Sequence, residues 1–169
     1  MTETRDPENT IIMDIDGGRV VIELLPDVAP AHVARIKELA RAGAYDGVVF
    51  HRVIEGFMAQ TGDVRHGNTT QDYNPRMAGT GGSDLPDLPA EFSGVPFERG
   101  TVGMARAADP NSANSQFFIM FAQGHFLNGQ YTVFGQVVEG MEHVDALPRG
   151  EPPAAPGMIH RMRVAADDA

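Results

Sequence analysis

The sequence has no cysteine, no tryptophan and a single lysine, Lys37. Without thiols it can form no zinc ribbon, iron–sulfur cluster, thiolate nucleophile or disulfide framework. No apolar run approaches the ~18 residues of a spanning helix, so no membrane crossing is expected. Cationic residues are scarce as a class: 13 Lys and Arg against 23 Asp and Glu give a net charge of −10. Phosphate backbones and anionic lipid surfaces need concentrated Lys and Arg, so neither nucleic acid nor membrane is an expected partner. Residues 1–9 are polar and acidic, without the apolar segment of a secretory signal, and a cytoplasmic location is the corresponding expectation.

Its 169 residues, 42% hydrophobic and 21% charged, describe one soluble globular domain. A chain of this length buries up to about 70% of its unfolded surface and needs no disulfide or metal to fold. Ile11, Met13 and Ile15, then Val20, Ile22 and Leu24, alternate with polar residues on either side of Asp16-Gly17-Gly18, a hairpin pattern. From Pro30 to Gly43, Val33, Ile36, Leu39 and Ala40 recur at helical spacing. Short β-like runs follow at 48–54, 57–60, 101–105, 116–121, 132–138 and 159–164, with a second short helix expected at 141–147. Residues 62–100 are rich in Gly, Pro, Asp and Asn and nearly aperiodic; loops this long are usually functional or disordered. Short strands, Gly-rich turns and two helices predict a mostly antiparallel barrel or sandwich, not alternating βαβ units.

Most candidate chemistries lack support. The six His residues show neither HExxH nor any other metal-ligand spacing, and Gly79-Thr80-Gly81-Gly82-Ser83 is followed by no Gly-Lys-Ser/Thr. Ser83, Ser93, Ser112 and Ser115 sit in no GxSxG turn. The strongest local signal is Phe50-His51-Arg52-Val53-Ile54-Glu55-Gly56-Phe57-Met58-Ala59-Gln60-Thr61-Gly62-Asp63. On a strand, a period of two puts Arg52 on a face with Phe50 and Ile54. A guanidinium there is costly unless it is paired or working, and a salt-bridged or snorkelling arginine is the alternative. In Ser115-Gln116-Phe117-Phe118-Ile119-Met120-Phe121, Gln116 and Phe118 share one face and Phe117 and Ile119 the other; either could be the core. Arginine, glutamine and aromatics without a nucleophile or metal suit binding or conformational catalysis rather than bond making.

The long motif from Phe50 to Asp63, Gly103-Met104-Ala105, Ser115-Gln116-Phe117-Phe118-Ile119 and Val133-Phe134-Gly135-Gln136-Val137 follow one another in an order that resembles the cyclophilins. These are peptidyl-prolyl cis/trans isomerases, and the similarity is greatest to their bacterial branch. The resemblance implies a closed eight-stranded antiparallel β-barrel capped by two α-helices. It implies one isomerase domain over residues 10–166, between flexible tails at 1–9 and 167–169. The barrel interior would be packed and peptides would bind in a groove outside it. Arg52 would be the catalytic guanidinium, held by Gln60. Phe57, Met58, Phe118 and Leu127 would line the proline pocket, Gln116 and the main chain at Arg106 would hold the peptide backbone, and Ala105 and Ala107 would border the neighbouring groove.

Phe126 and Tyr131 stand where the best-known eukaryotic pattern has Trp and His, and Arg106 replaces a frequent Asn. Cyclosporin binding, if present, is expected to be weakened by the loss of the indole donor at Phe126. Proline-containing peptides and unfolded clients are the expected partners of a monomer that uses no cofactor and no metal. A proline-peptide binding module or chaperone with incidental catalysis stays open as a second reading; a third, a small-molecule barrel with an interior cavity, is disfavoured by the outer-site motifs.

Overall fold

The computed structural model describes residues 6–70, 73–74, 76–151 and 153–168. The described residues form eight strands: β1 (Thr10–Ile15), β2 (Gly18–Leu24), β3 (Arg52–Ile54), β4 (Met58–Thr61), β5 (Thr101–Met104), β6 (Phe117–Met120), β7 (Val133–Glu139) and β8 (Ile159–Val164). They form one antiparallel sheet in the order β3-β4-β6-β5-β7-β2-β1-β8. The helices are α1 (Pro30–Arg41) and α2 (Met141–Asp145); α1 packs on β7 and β8, and α2 on β2. No helix among the described residues is long and apolar enough to cross a membrane.

The expected closed barrel is corrected in one respect: the sheet is open, with β3 and β8 as its edges. Among the described residues the seam between them is crossed by isolated bridges, Val49 with Met158 and Val53 with Gly150. The segment leading into β8 carries Pro148, Pro153 and Pro156, and proline has no N–H to give a ladder.

Strand alternation sorts the side chains onto two apolar faces. Ile11, Met13, Val20, Ile22, Val53, Ala59, Val102, Phe117, Ile119 and Phe134 pack inside the curled sheet with Val33, Ile36 and Leu39 of α1. Phe50 joins this interior, because it precedes β3 and escapes the alternation that would have placed it beside Arg52. Met58, Phe118, Met120, Leu127 and Val133 form a second cluster on the outer face around Phe97. Both faces of β6 are therefore buried, which answers the choice its sequence left open.

Helix α1 starts at Pro30 without a side-chain cap of its own. The Glu91 carboxylate, from the long segment 62–100, accepts from the amides of Ala31 (3.2 Å) and His32 (2.9 Å) instead. Within the expected tails, Pro7–Asn9 form a 3-10 turn and Glu8 bonds Lys37 and Arg41, each at 2.9 Å. Arg41 also reaches Asp167 at 3.0 Å. The described inner part of each tail is thus tied to α1; residues 1–5 and 169 lie outside the described residues.

Candidate active site

Pairing register lays a row of residues across the outer face. Arg52 on β3 faces Gln60 on β4, Gln60 faces Phe118 on β6, and Phe118 faces Gly103 on β5. Gly103 is needed for what it lacks: a Cβ there would lie 2.6 Å from Phe97 Cε2 and 2.8 Å from Phe118 Cζ. Its absence lets Phe97 stack on Phe118, ring centroids 5.7 Å apart, while Tyr131 meets Phe118 edge-on at 5.8 Å. Beside this row is a cavity of about 130 Å³ lined by Arg52, Phe57, Met58, Gln60, Ala105, Arg106, Phe118, Leu127 and Tyr131. A dry void of about 150 Å³ accepts a benzene ring, so this one has the size of a single small ring.

Across Gln60, Ala105 and Arg106 lies a second, more polar cavity of about 550 Å³, walled by residues 79–83, Asp87, Ala107, Ser112 and residues 114–116. Asp63, fully buried, holds its glycine-rich wall: its carboxylate accepts from the amides of Arg65, His66, Gly79 and Gly81 at 2.8 to 3.1 Å. Burial pushes its carboxyl up, but the four backbone donors outweigh this and keep it below the usual carboxylate range. Gly81 in turn accepts from Gln116 Nε2 at 2.9 Å. Gln60 donates to Gln116 Oε1 at 3.1 Å, and Arg52 Nη1 donates to Gln60 Oε1 at 3.4 Å. A polar chain therefore runs from the loop to the guanidinium. Under it His51 is buried, and desolvation pushes its pKa down to about 4, so the ring is neutral.

A family model described as cyclophilin type peptidyl-prolyl cis-trans isomerase matches residues 10–164. The chain belongs to this family. A probable peptidyl-prolyl cis-trans isomerase of Brucella suis is 65% identical over 145 residues, which cover 86% of this chain and 74% of that protein. A crystal structure of a cyclophilin from Hirschia baltica matches with TM-score 0.85 and 29% identity, covering 99% of this chain and 77% of its own. A Cryptosporidium parvum cyclophilin type isomerase, crystallised in the presence of the dipeptide Ala-Pro, matches with TM-score 0.79 and 25% identity, covering 92% of this chain and 98% of its own. The protein is a peptidyl-prolyl cis-trans isomerase.

In this cyclophilin the residues named from sequence fall into three places. Arg52, Phe57, Met58, Gln60, Ala105, Arg106, Phe118, Leu127 and Tyr131 meet at the small cavity, and Ala107 and Gln116 at the larger one. Phe126 stands outside both, 71% exposed, its ring 5.7 Å from that of Phe57. The Arg106 side chain ties the cavity wall together: Nη2 donates to Gln130 O at 2.7 Å, Nη1 to Ala107 O at 2.9 Å, and the guanidinium lies 4.4 Å over Tyr131. Sequence reasoning missed three contributors. Phe97 supports Phe118 from an aperiodic stretch that gave no signal. Asp63 closed the quoted motif without a role, although a buried acid after glycine could have suggested a loop anchor. Glu151 bonds Arg52 Nε at 2.9 Å, and nothing in its proline-rich surroundings marked it.

Proposed function

We propose that the isomerase acts at the small cavity, with Arg52 as the catalytic guanidinium, Phe57, Met58, Phe118 and Leu127 around the substrate proline ring, and Gln60 holding Arg52. In this reading Gln116 and the main chain at Arg106 hold the peptide backbone, and residues of the adjoining cavity, Ala105 and Ala107 among them, receive its flank. One observation carries the reading. The guanidinium lines a ring-sized pocket that Phe57, Met58, Phe118 and Leu127 wall on its apolar side, with Nε and Nη1 engaged, and its Nη2 amino group has no partner among the described residues.

Rotation about an X–Pro bond faces a barrier of about 18–20 kcal/mol, because resonance gives the C–N bond double-bond character. In the twisted transition state the prolyl nitrogen turns pyramidal and regains its lone pair. A donor aimed at that nitrogen favours the transition state over the planar ground state. Arginine offers a fixed donor fork and no accessible neutral form. An acceleration of about 10⁵-fold corresponds to about 7 kcal/mol. One charge-assisted hydrogen bond supplies only about 1.5–3 kcal/mol, so the rest falls to a dry pocket that grips the ring while the acyl side turns.

The substrates in this reading are exposed X–Pro bonds of peptides and unfolded or flexible proteins, as the Ala-Pro used with the Cryptosporidium structure suggests. Phe126 has no ring N–H, so any cyclosporin binding is taken to be weakened. We take the domain to span residues 10–166 and to act as a monomer. The cytoplasm, where new chains are made, is the compartment we propose. NMR exchange spectroscopy on an Ala-Pro peptide tests the site. Wild type should accelerate exchange, and Arg52→Ala should approach background while still shifting the peptide signals. Full activity in Arg52→Ala would move catalysis elsewhere; peptide binding without acceleration by wild type would make this a binding module.

A further inference from the structure

We propose that Glu151 is a positioning residue for Arg52, fixing the plane of the guanidinium from the side opposite Gln60. The inference rests on the reading of Arg52 as catalytic. It starts from register. Val53 and Gly150 form an antiparallel bridge with reciprocal hydrogen bonds, Val53 N to Gly150 O at 2.8 Å and Gly150 N to Val53 O at 2.9 Å. In that register residue 151 stands directly opposite residue 52, as Gln60 does on the β4 side. Arg52 is therefore flanked across the sheet by two acceptors. Glu151 Oε1 takes Nε–H at 2.9 Å and Gln60 Oε1 takes a hydrogen of Nη1 at 3.4 Å.

One anchor would leave a long, rotamer-rich side chain free to pivot about that contact. Two anchors on different nitrogens set both the position and the tilt of a planar fork, which leaves Nη2 pointing in one direction. The segment that carries Glu151 is itself held. Gly150 has φ +143°, a conformation that favours glycine. The neighbouring Arg149 donates from Nη1 to Leu147 O at 2.6 Å and Asp145 O at 2.8 Å, donates from Nε to Glu55 at 2.9 Å, and lies 4.5 Å over the Phe121 ring. A carboxylate on so constrained a segment holds geometry; as an exposed ion pair, 42% and 57% accessible, it adds little to stability.

The test compares Glu151→Ala and Glu151→Gln with wild type and Arg52→Ala, using peptide exchange at saturating Ala-Pro peptide and a shift titration for affinity. Glu151→Ala should slow saturated exchange about three- to tenfold and leave the peptide Kd within twofold. Glu151→Gln keeps an acceptor for Nε–H and should recover most of the rate. The ¹⁵Nε–Hε signal of Arg52, assigned by its disappearance in Arg52→Lys, should be sharp in wild type and the Gln variant and broadened in the Ala variant. Wild-type or faster exchange in Glu151→Ala overturns the proposal, because a carboxylate that only neutralised the guanidinium would depress the rate. A matched loss in affinity and rate also overturns it. If Arg52→Ala is itself fully active, the reading of the site has failed instead.

Discussion

His51 immediately precedes Arg52 in the chain, yet its ring is buried and neutral. Desolvation dominates its titration; Asp63 opposes the downward shift and Arg52 reinforces it. The folded pKa of about 4 lies below the ordinary 6.5 of the unfolded chain. The stabilisation from keeping the ring neutral is therefore complete above pH 6.5 and is lost as pH falls from 6.5 towards 4. Within that window the unfolded chain takes up a proton that the folded one refuses. The shift corresponds to on the order of 3 kcal/mol. Urea unfolding at pH 7 and pH 4.5 should show wild type losing markedly more stability than His51→Gln, which has no ring to titrate; parallel losses would refute a buried neutral His51. Nothing in one sequence separates such a histidine from a ligand or a base. Burial at residue 51 depends on Asp63 and on Gly79, whose added Cβ would lie 3.2 Å from the ring.

At the scale of elements, periodicity reached as far as local hydrogen bonding does. The apolar stripe of α1 and the alternation of β1 and β2 were readable, and the structure places α1 at Pro30–Arg41 and the hairpin at Thr10–Leu24. The segment 62–100 was not readable, because what orders its described part is side chains bonding backbone far away. Asp63 holds Gly79 and Gly81, Asn114 accepts from Ser83 N at 2.8 Å, and Glu91 caps a helix 59 residues upstream. The outer row of the sheet gives the sharpest test at this scale. Gly103→Ala introduces a methyl that must push Phe97 or Phe118, both packed, out of the stack. Overpacking of this kind costs about 1–3 kcal/mol. Because Phe118 lines the small cavity, peptide affinity should fall along with unfolding free energy. A variant that lost stability but bound peptide as wild type does would show that the stack supports the fold and not the pocket.

At the scale of the whole molecule, the open sheet gives the site an uneven foundation. Motif order conveyed eight strands and two helices, but closure is decided by whether the last edge can pair continuously with the first, and prolines after Leu147 interrupt that pairing. Central β6 has a ladder on both sides, with β4 and β5, and its Ile119 is fully buried. Among the described residues, strand β3, which carries Arg52, has a ladder with β4 and meets the seam through the Val53–Gly150 bridge. Local opening follows the continuity of pairing, so the seam should open more readily than the centre. Native-state hydrogen exchange should find the amides of Val53 and Gly150 exchanging at least about tenfold faster than that of Ile119, a difference of about 1.4 kcal/mol in opening free energy. The Glu151→Ala variant should leave that ratio unchanged, since the bridge uses backbone atoms alone. Equal, globally limited exchange at Val53 and Ile119 would mean that the two bridges close the sheet as firmly as a ladder would. The guanidinium would then rest on an element as rigid as the core. Faster exchange at the seam instead makes side-chain anchors on both sides of Arg52 the means by which a loosely paired edge strand presents a fixed donor.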